Sequence, residues 1–192
     1  VNDAPEGTDN TVTTLEDTDY LFTAADFGLT DPDDTPANVL QSVVITTLPG
    51  AGTLSLAAGS SAPGPVLAGQ EITLADIPFL TFTPVANANG AAYASFTFQV
   101  RDDGGTLDGG TDLDASANTI TIDVTSVNDA PAGADITLST LEDTPYTFSA
   151  ANFGFSDPDD APANSLAAVR ITTLPATGSL TLAAGSSAPG PV

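Results

Sequence analysis

Apolar and polar residues alternate along much of the chain with a period of two. Phe96, Phe98 and Val100 alternate with Thr97 and Gln99, and Ile120, Ile122 and Val124 alternate with Thr121, Asp123 and Thr125. Val43 and Ile45 alternate with Val44 and Thr46. Successive side chains of a strand point to opposite faces, so these runs read as strands with one face buried. The pattern predicts strands at Thr11–Leu15, Tyr20–Thr23, Leu40–Leu48, Thr53–Ala57, Glu71–Leu74, Leu80–Thr83, Tyr93–Arg101 and Thr119–Thr125, separated by Gly, Pro, Asn and Asp clusters. Short strands at such spacing predict an all-β fold, a Greek-key β-sandwich. Helical signal is confined to Ala24–Phe27 and Leu74–Ile77, each long enough for a single turn. Two stretches read as long loops: the Gly, Ser and Pro-rich Gly59–Gly69, and the acidic Asp102–Asn118.

The same pattern occurs twice. Val1-Asn2-Asp3-Ala4-Pro5 returns as Val127-Asn128-Asp129-Ala130-Pro131. Leu15-Glu16-Asp17-Thr18 returns as Leu141-Glu142-Asp143-Thr144, and Asp31-Pro32-Asp33-Asp34 as Asp157-Pro158-Asp159-Asp160. The alignment runs without a gap from Val1–Val66 onto Val127–Val192, with roughly two thirds of positions identical. The chain therefore reads as tandem modules: a complete one over 1–126 and the first half of a second over 127–192. From this we expect the natural chain to continue past Val192. Half a sandwich exposes its core, so the second copy needs strands from further chain or from a neighbouring molecule.

Charge narrows the function. There are 25 acidic residues against two basic ones, Arg101 and Arg170, for a net charge of −23. Such a chain repels nucleic acid and anionic lipid, so neither is expected as a partner. No apolar run is long enough to insert in a membrane. His and Cys are absent, which removes Ser-His-Asp and Cys-His catalysis, disulfides and thiolate metal sites. A hydrophobic fraction of 41% still suffices for a packed core.

The acidic residues gather where strands end: Glu16-Asp17, Asp31 to Asp34, Asp102-Asp103, and Asn128-Asp129. Calcium takes six to eight oxygen ligands from carboxylates, amides and carbonyls, and it is the ion this inventory suits. A divalent ion also relieves the mutual repulsion of clustered carboxylates. The alternative is a solvated acidic face, as in salt-adapted proteins; clustering at strand ends favours the ion. Paired carboxylates also serve glycosidases. Here they lie in the turns of a repeat, Trp is absent, and no enzyme is expected.

Several motifs carry a family resemblance. Ser126-Val127-Asn128-Asp129-Ala130-Pro131 resembles the cadherin inter-domain linker, and Asp31-Pro32-Asp33-Asp34 with Asn38 resembles the cadherin Asp-x-Asp motif. Val100-Arg101-Asp102-Asp103-Gly104-Gly105 is similar to the later Ala-x-Asp-Gly-Gly segment, and Glu16 to the early base glutamate. The chain resembles the bacterial cadherin-like and VCBS-type repeats of large surface adhesins, and the related repeats of chondroitin sulfate proteoglycans. That resemblance implies cadherin/immunoglobulin-like modules in tandem, with calcium at junctions between neighbouring repeats of one chain. It implies one site from Glu16, Asp76, Asn128, Asp129, Asp157, Asp159 and Asn164. A second, toward a preceding module, would use Asn2, Asp3, Asp31, Asp33 and Asp102. It further implies an extracellular, cell-surface adhesin stalk. Ser126 and Ala130 depart from the cadherin linker, and Leu74-Ala75-Asp76-Ile77 lacks the glutamate of its Leu-Asp-Arg-Glu motif, which implies fewer or weaker ions. An alternative is a fibre or sheath assembled head to tail, each half module completed by a neighbouring chain.

Overall fold

The computed structural model describes residues 1–187 and 190–192. Two compact units account for the chain. The first comprises Val1–Asp129 together with Asp159–Ala161, and the second comprises Ala130–Pro158 together with Pro162–Val192.

The first unit is all-β, with short 3-10 turns as its only helical elements among the described residues. Its strands are β1 (Asn10–Leu15), β2 (Tyr20–Leu21), β3 (Leu40–Ile45), β4 (Thr53–Leu56), β5 (Gly64–Pro65), β6 (Glu71–Thr73), β7 (Leu80–Thr83), β8 (Gly90–Asp102) and β9 (Asn118–Thr125). One sheet has the order β1-β9-β8-β3-β6 and the other β2-β7-β4-β5. Every pairing is antiparallel except β1 with β9, which is parallel.

The core forms because each sheet turns its period-two apolar face inward. Phe22, Phe27, Phe82, Phe96 and Phe98 are fully buried with Val43, Ile45, Ile72, Leu80, Ile120 and Ile122. Phe22, just after β2, meets Phe96 of β8 edge to face at 5.6 Å, so this contact joins the two sheets. Phe27 meets Phe98 in the same way at 4.9 Å. Such ring pairs contribute about 0.5–1.5 kcal/mol each beyond the area they bury. Phe27 is delivered by the 3-10 turn Ala24–Phe27, which stops at Gly28 in the left-handed region, φ 55°.

Several details differ from the sequence expectation: the second helical turn falls at Ile77–Phe79 rather than Leu74–Ile77, β8 runs on to Asp102, and β2, β3, β4 and β6 end sooner than expected. Within the Gly, Ser and Pro-rich stretch, Gly64–Pro65 pairs with Ser55 and Leu56 as an edge strand. Proline is tolerated there because an edge strand need not donate on its outer side. β8 also begins earlier than the alternation suggests, at Gly90, and its register shifts between Gly90 and Ala94.

Strand directions fix where the acidic residues go. Leu15 of β1 lies beside Thr125 of β9, and Gly90 of β8 lies beside Val124. Glu16 and Asn89 therefore emerge at one end of the larger sheet. β8 then runs the length of that sheet and delivers Asp102, beside Leu40, to the other end.

The second unit repeats local turns without the core. Its 3-10 turn Ala150–Phe153 ends at Gly154 with φ 56°, and Ala132 bridges Ser156 as Glu6 bridges Thr30. Among its described residues, β10 (Thr181–Leu182) pairs with β11 (Gly190–Pro191). Phe148 is 47% exposed and Ile171 40%, whereas their counterparts Phe22 and Ile45 are at 0%. In the first unit those two are covered by strands from residues 80–125, which have no second copy within the 192 residues. Turns depend on local sequence and form in both copies, whereas β1 and β3 need distant partners.

Candidate cation site

Three carboxylates of the first unit converge. Glu16, Asp129 and Asp160 each place an oxygen within 4.8 Å of the others. Glu16 follows β1 directly, its backbone N–H donating to Thr125 O at 2.9 Å, and only 2% of it is exposed. Its Oε2 accepts from Asn89 Nδ2 at 2.8 Å, and its Oε1 accepts from the backbone N–H of Val127. Asp129 donates its backbone N–H to Asp160 Oδ1 at 2.9 Å. Ser126 Oγ accepts from the N–H of Ala161 at 3.2 Å, which anchors the segment carrying Asp160.

The electrostatics is uneven. The Asn89 side-chain amide, then the Val127 N–H, hold the Glu16 carboxyl below its ordinary pKa, against its burial and the charge of Asp160. Burial pushes Asp129 the other way, above its ordinary value, and the charges of Glu16, Asp160, Asp17 and Asp159 add to that rise. Asp129 Oδ2 is buried and accepts no hydrogen bond. Arg101 is engaged elsewhere, with Glu71 at 3.0 Å and Asp112 at 2.5 Å.

An oxygen-only set with one buried, unbonded carboxylate oxygen fits a hard divalent cation. Carboxylate oxygens within 4.8 Å of one another are close enough to be drawn onto a single cation. Glu16, Asp129 and Asp160 would hold the ion, with carbonyls and water completing six or more ligands. The ion would supply positive charge and a cross-link between three chain segments.

A second cluster occupies the Asp102 end of the same unit. Asp102 is fully buried and accepts from Asn2 Nδ2 at 3.1 Å and from the N–H of Gly104 at 2.9 Å. Burial raises its pKa most; those two bonds lower it, and the charges of Asp31 and Asp112 raise it further. Asp3 donates its N–H to Asp34 Oδ2 at 2.9 Å, and Asn38 Nδ2 reaches the same oxygen at 3.2 Å. Asp31 accepts from the N–H of Asn38 at 2.5 Å, while its Oδ1 is buried and unbonded. Asp157, its counterpart in the second unit, repeats this: Asn164 N–H at 2.7 Å on one oxygen, and the other buried and unbonded.

Of the residues expected from the sequence, Glu16 and Asp129 meet at one end, and Asn2, Asp3, Asp31 and Asp102 gather at the other. Asn128 is exposed and donates to the carbonyl of Asp129 at 3.0 Å. Asp33 is exposed. Asp159 brings its backbone carbonyl within 3.4 Å of Asn89 Nδ2. Asp76 goes elsewhere. Its carboxylate takes Ser61 N–H at 2.7 Å, Ser61 Oγ at 2.5 Å and Thr73 Oγ1 at 2.9 Å. The Ser61 hydroxyl, its N–H and Thr73 lower the Asp76 pKa against burial. Leu74 N–H donates to Gln41 O, so the end of β6 lies toward the Asp102 end of the sheet, away from Glu16. Asp76 thus ties the Gly, Ser and Pro-rich segment to β6.

Asp160, Asp34 and Asn89 were missed. A signal for the first two existed, since both Asp-Pro-Asp-Asp turns end in an aspartate that survives the repeat. Asn89 gave none, because it lies outside the stretch that repeats. Comparison of the chain with protein-family models, with curated proteins and with solved structures gives no match.

Proposed function

We propose that this chain is a calcium-binding extender segment of a large extracellular adhesin, built from cadherin-like Greek-key sandwich modules in tandem. Asp129 Oδ2 carries the reading: it is buried without a hydrogen bond. It belongs to the aspartate pressed by Glu16 and Asp160. A calcium ion there removes the repulsion and pins Glu16, the linker at Asp129 and the turn at Asp160 together. That stiffens the chain segment around Asp129 and suits a unit repeated for length. Three carboxylates with few further ligands suggest modest affinity, of the order of the 10⁻⁴–10⁻³ M of extracellular calcium modules. Such a site fills outside cells, which supports an extracellular place.

The test is thermal melting with calcium chloride and with a chelator, alongside small-angle scattering for length. A ligand bound only by the folded state raises the melting temperature by linkage. The extender reading requires that rise and a longer, stiffer particle in calcium. Identical melting and dimensions in both conditions would overturn it.

A second reading is a fibre in which a neighbouring chain completes the half module. Phe148, Val169 and Ile171, counterparts of buried core residues, are the surface such a neighbour would cover. Electron microscopy separates the two, since filaments growing with concentration support the fibre and isolated strings support the extender.

A further inference from the structure

Asn89 is the only asparagine of the sequence followed by glycine. Glycine offers least resistance to its own backbone nitrogen closing on the preceding side chain, because no Cβ stands beside that nitrogen. Gly90 has φ +150°, and a Cβ built on it would meet nothing within 4 Å, so the space beside its α-carbon is open. The side chain next to that peptide is aimed at the cation cluster: Asn89 Nδ2 lies 2.8 Å from Glu16 Oε2 and 3.4 Å from Asp159 O.

We propose that Asn89 is a deamidation site whose acid product becomes a fourth carboxylate of the Glu16, Asp129 and Asp160 cluster. The lone pair of the Gly90 nitrogen attacks Asn89 Cγ and forms a C–N bond, and the displaced N–H proton passes to water. The Cγ–Nδ2 bond breaks as Nδ2 takes up a proton from water, and Nδ2 leaves as ammonia. Water then adds to the five-membered imide and breaks one of its two C–N bonds. Opening at Cγ leaves an aspartate side chain in place. Opening at the main-chain carbonyl leaves an isoaspartate, with an extra methylene in the backbone where β8 begins. Nothing is oxidised or reduced.

The consequence rests on the reading of the cluster as a calcium site. The donor that holds Glu16 ionised is replaced by an acceptor of like charge. Without calcium the cluster becomes more repulsive; with calcium it gains ligand charge. The conversion is a one-way change that makes the module more dependent on calcium as it ages.

The test starts with mass-spectrometric peptide mapping of the intact chain after incubation at mildly alkaline pH. A synthetic peptide spanning residues 86–93 is incubated in parallel. Conversion concentrated at Asn89, ahead of Asn2, Asn38 and Asn128, supports the proposal; an unchanged Asn89 once the peptide has fully converted overturns it. The second arm titrates calcium chloride into the wild type, Asn89→Asp and Asn89→Gln. We expect Asn89→Asp to bind on the order of tenfold more tightly than wild type, and Asn89→Gln no more tightly. Wild-type and Asn89→Asp affinities that are equal overturn the link to the site. No binding by any of the three sinks the calcium reading, while the mass measurement still decides the modification.

Discussion

The backbone N–H of Asp129 donates to Oδ1 of Asp160 over 2.9 Å. One repeat earlier, Asp3 donates to Asp34 over the same distance. The last aspartate of each Asp-Pro-Asp-Asp turn, rather than the third residue, therefore faces the Asn-Asp stretch. Asp160→Asn keeps an oxygen to accept that bond and removes one charge. In chelator its melting temperature should match or exceed that of wild type, and the rise on adding calcium should disappear. Asp159→Asn should keep the rise. Paired melting curves check both.

The carboxylate pKa values give a pH signature. Asp129 and Asp102 have folded pKa values raised above the ordinary range, so their protonation as pH falls favours the folded state. Glu16 and Asp76 have lowered values, so the stability they contribute is present above the ordinary range and is lost as pH falls through their folded values. In chelator, stability should therefore climb from neutral pH into mild acid and then fall. Calcium bound to ionised Asp129 should flatten the climb. Denaturant unfolding across pH, with and without calcium, measures this.

The two copies predict unequal costs for the same substitution. Phe22 is fully buried between the sheets, and Phe22→Ala should cost about 3–5 kcal/mol. Phe148, its counterpart, is 47% exposed, and Phe148→Ala should cost about 1 kcal/mol or less. Chemical denaturation of the two variants reads the difference.

The strands were legible because alternation reports a half-buried face directly: the ranges expected for β1 and β9 differ from those observed by one residue. What alternation cannot carry is partnership. Nothing in Asn10–Leu15 says that it pairs in parallel with Asn118–Thr125, and that pairing is what sets Glu16 at the Thr125 end. Gly64–Pro65 reads as loop in sequence because its pairing comes from the neighbouring strand rather than from its own composition. At the clusters, Glu16, Asp129, Asp31 and Asp102 stood out by motif. Asp76 entered only through an imperfect motif resemblance, and it lies where Ser61 and Thr73 satisfy its oxygens. Asn89 depends on the start of β8, which is set by the sheet.

Gly104 offers a test of the Asp102 end. A Cβ there would collide with Asn2 Oδ1 and fall 2.5 Å from Asn38 Nδ2. Gly104→Ala must displace both side chains and break their bonds to Asp102 and Asp34. It should cost about 1–3 kcal/mol and leave the calcium response of the Glu16 cluster intact. Denaturation gives the cost, and melting with and without calcium shows whether the far cluster still responds.

The most direct measurement is a calorimetric calcium titration of the chelator-stripped wild type beside Glu16→Gln. Saturable binding in the wild type at or below millimolar calcium, weakened on the order of tenfold or more by Glu16→Gln, is the expected result. A flat titration in the wild type, or one that Glu16→Gln leaves unchanged, would contradict a metal held by Glu16, Asp129 and Asp160.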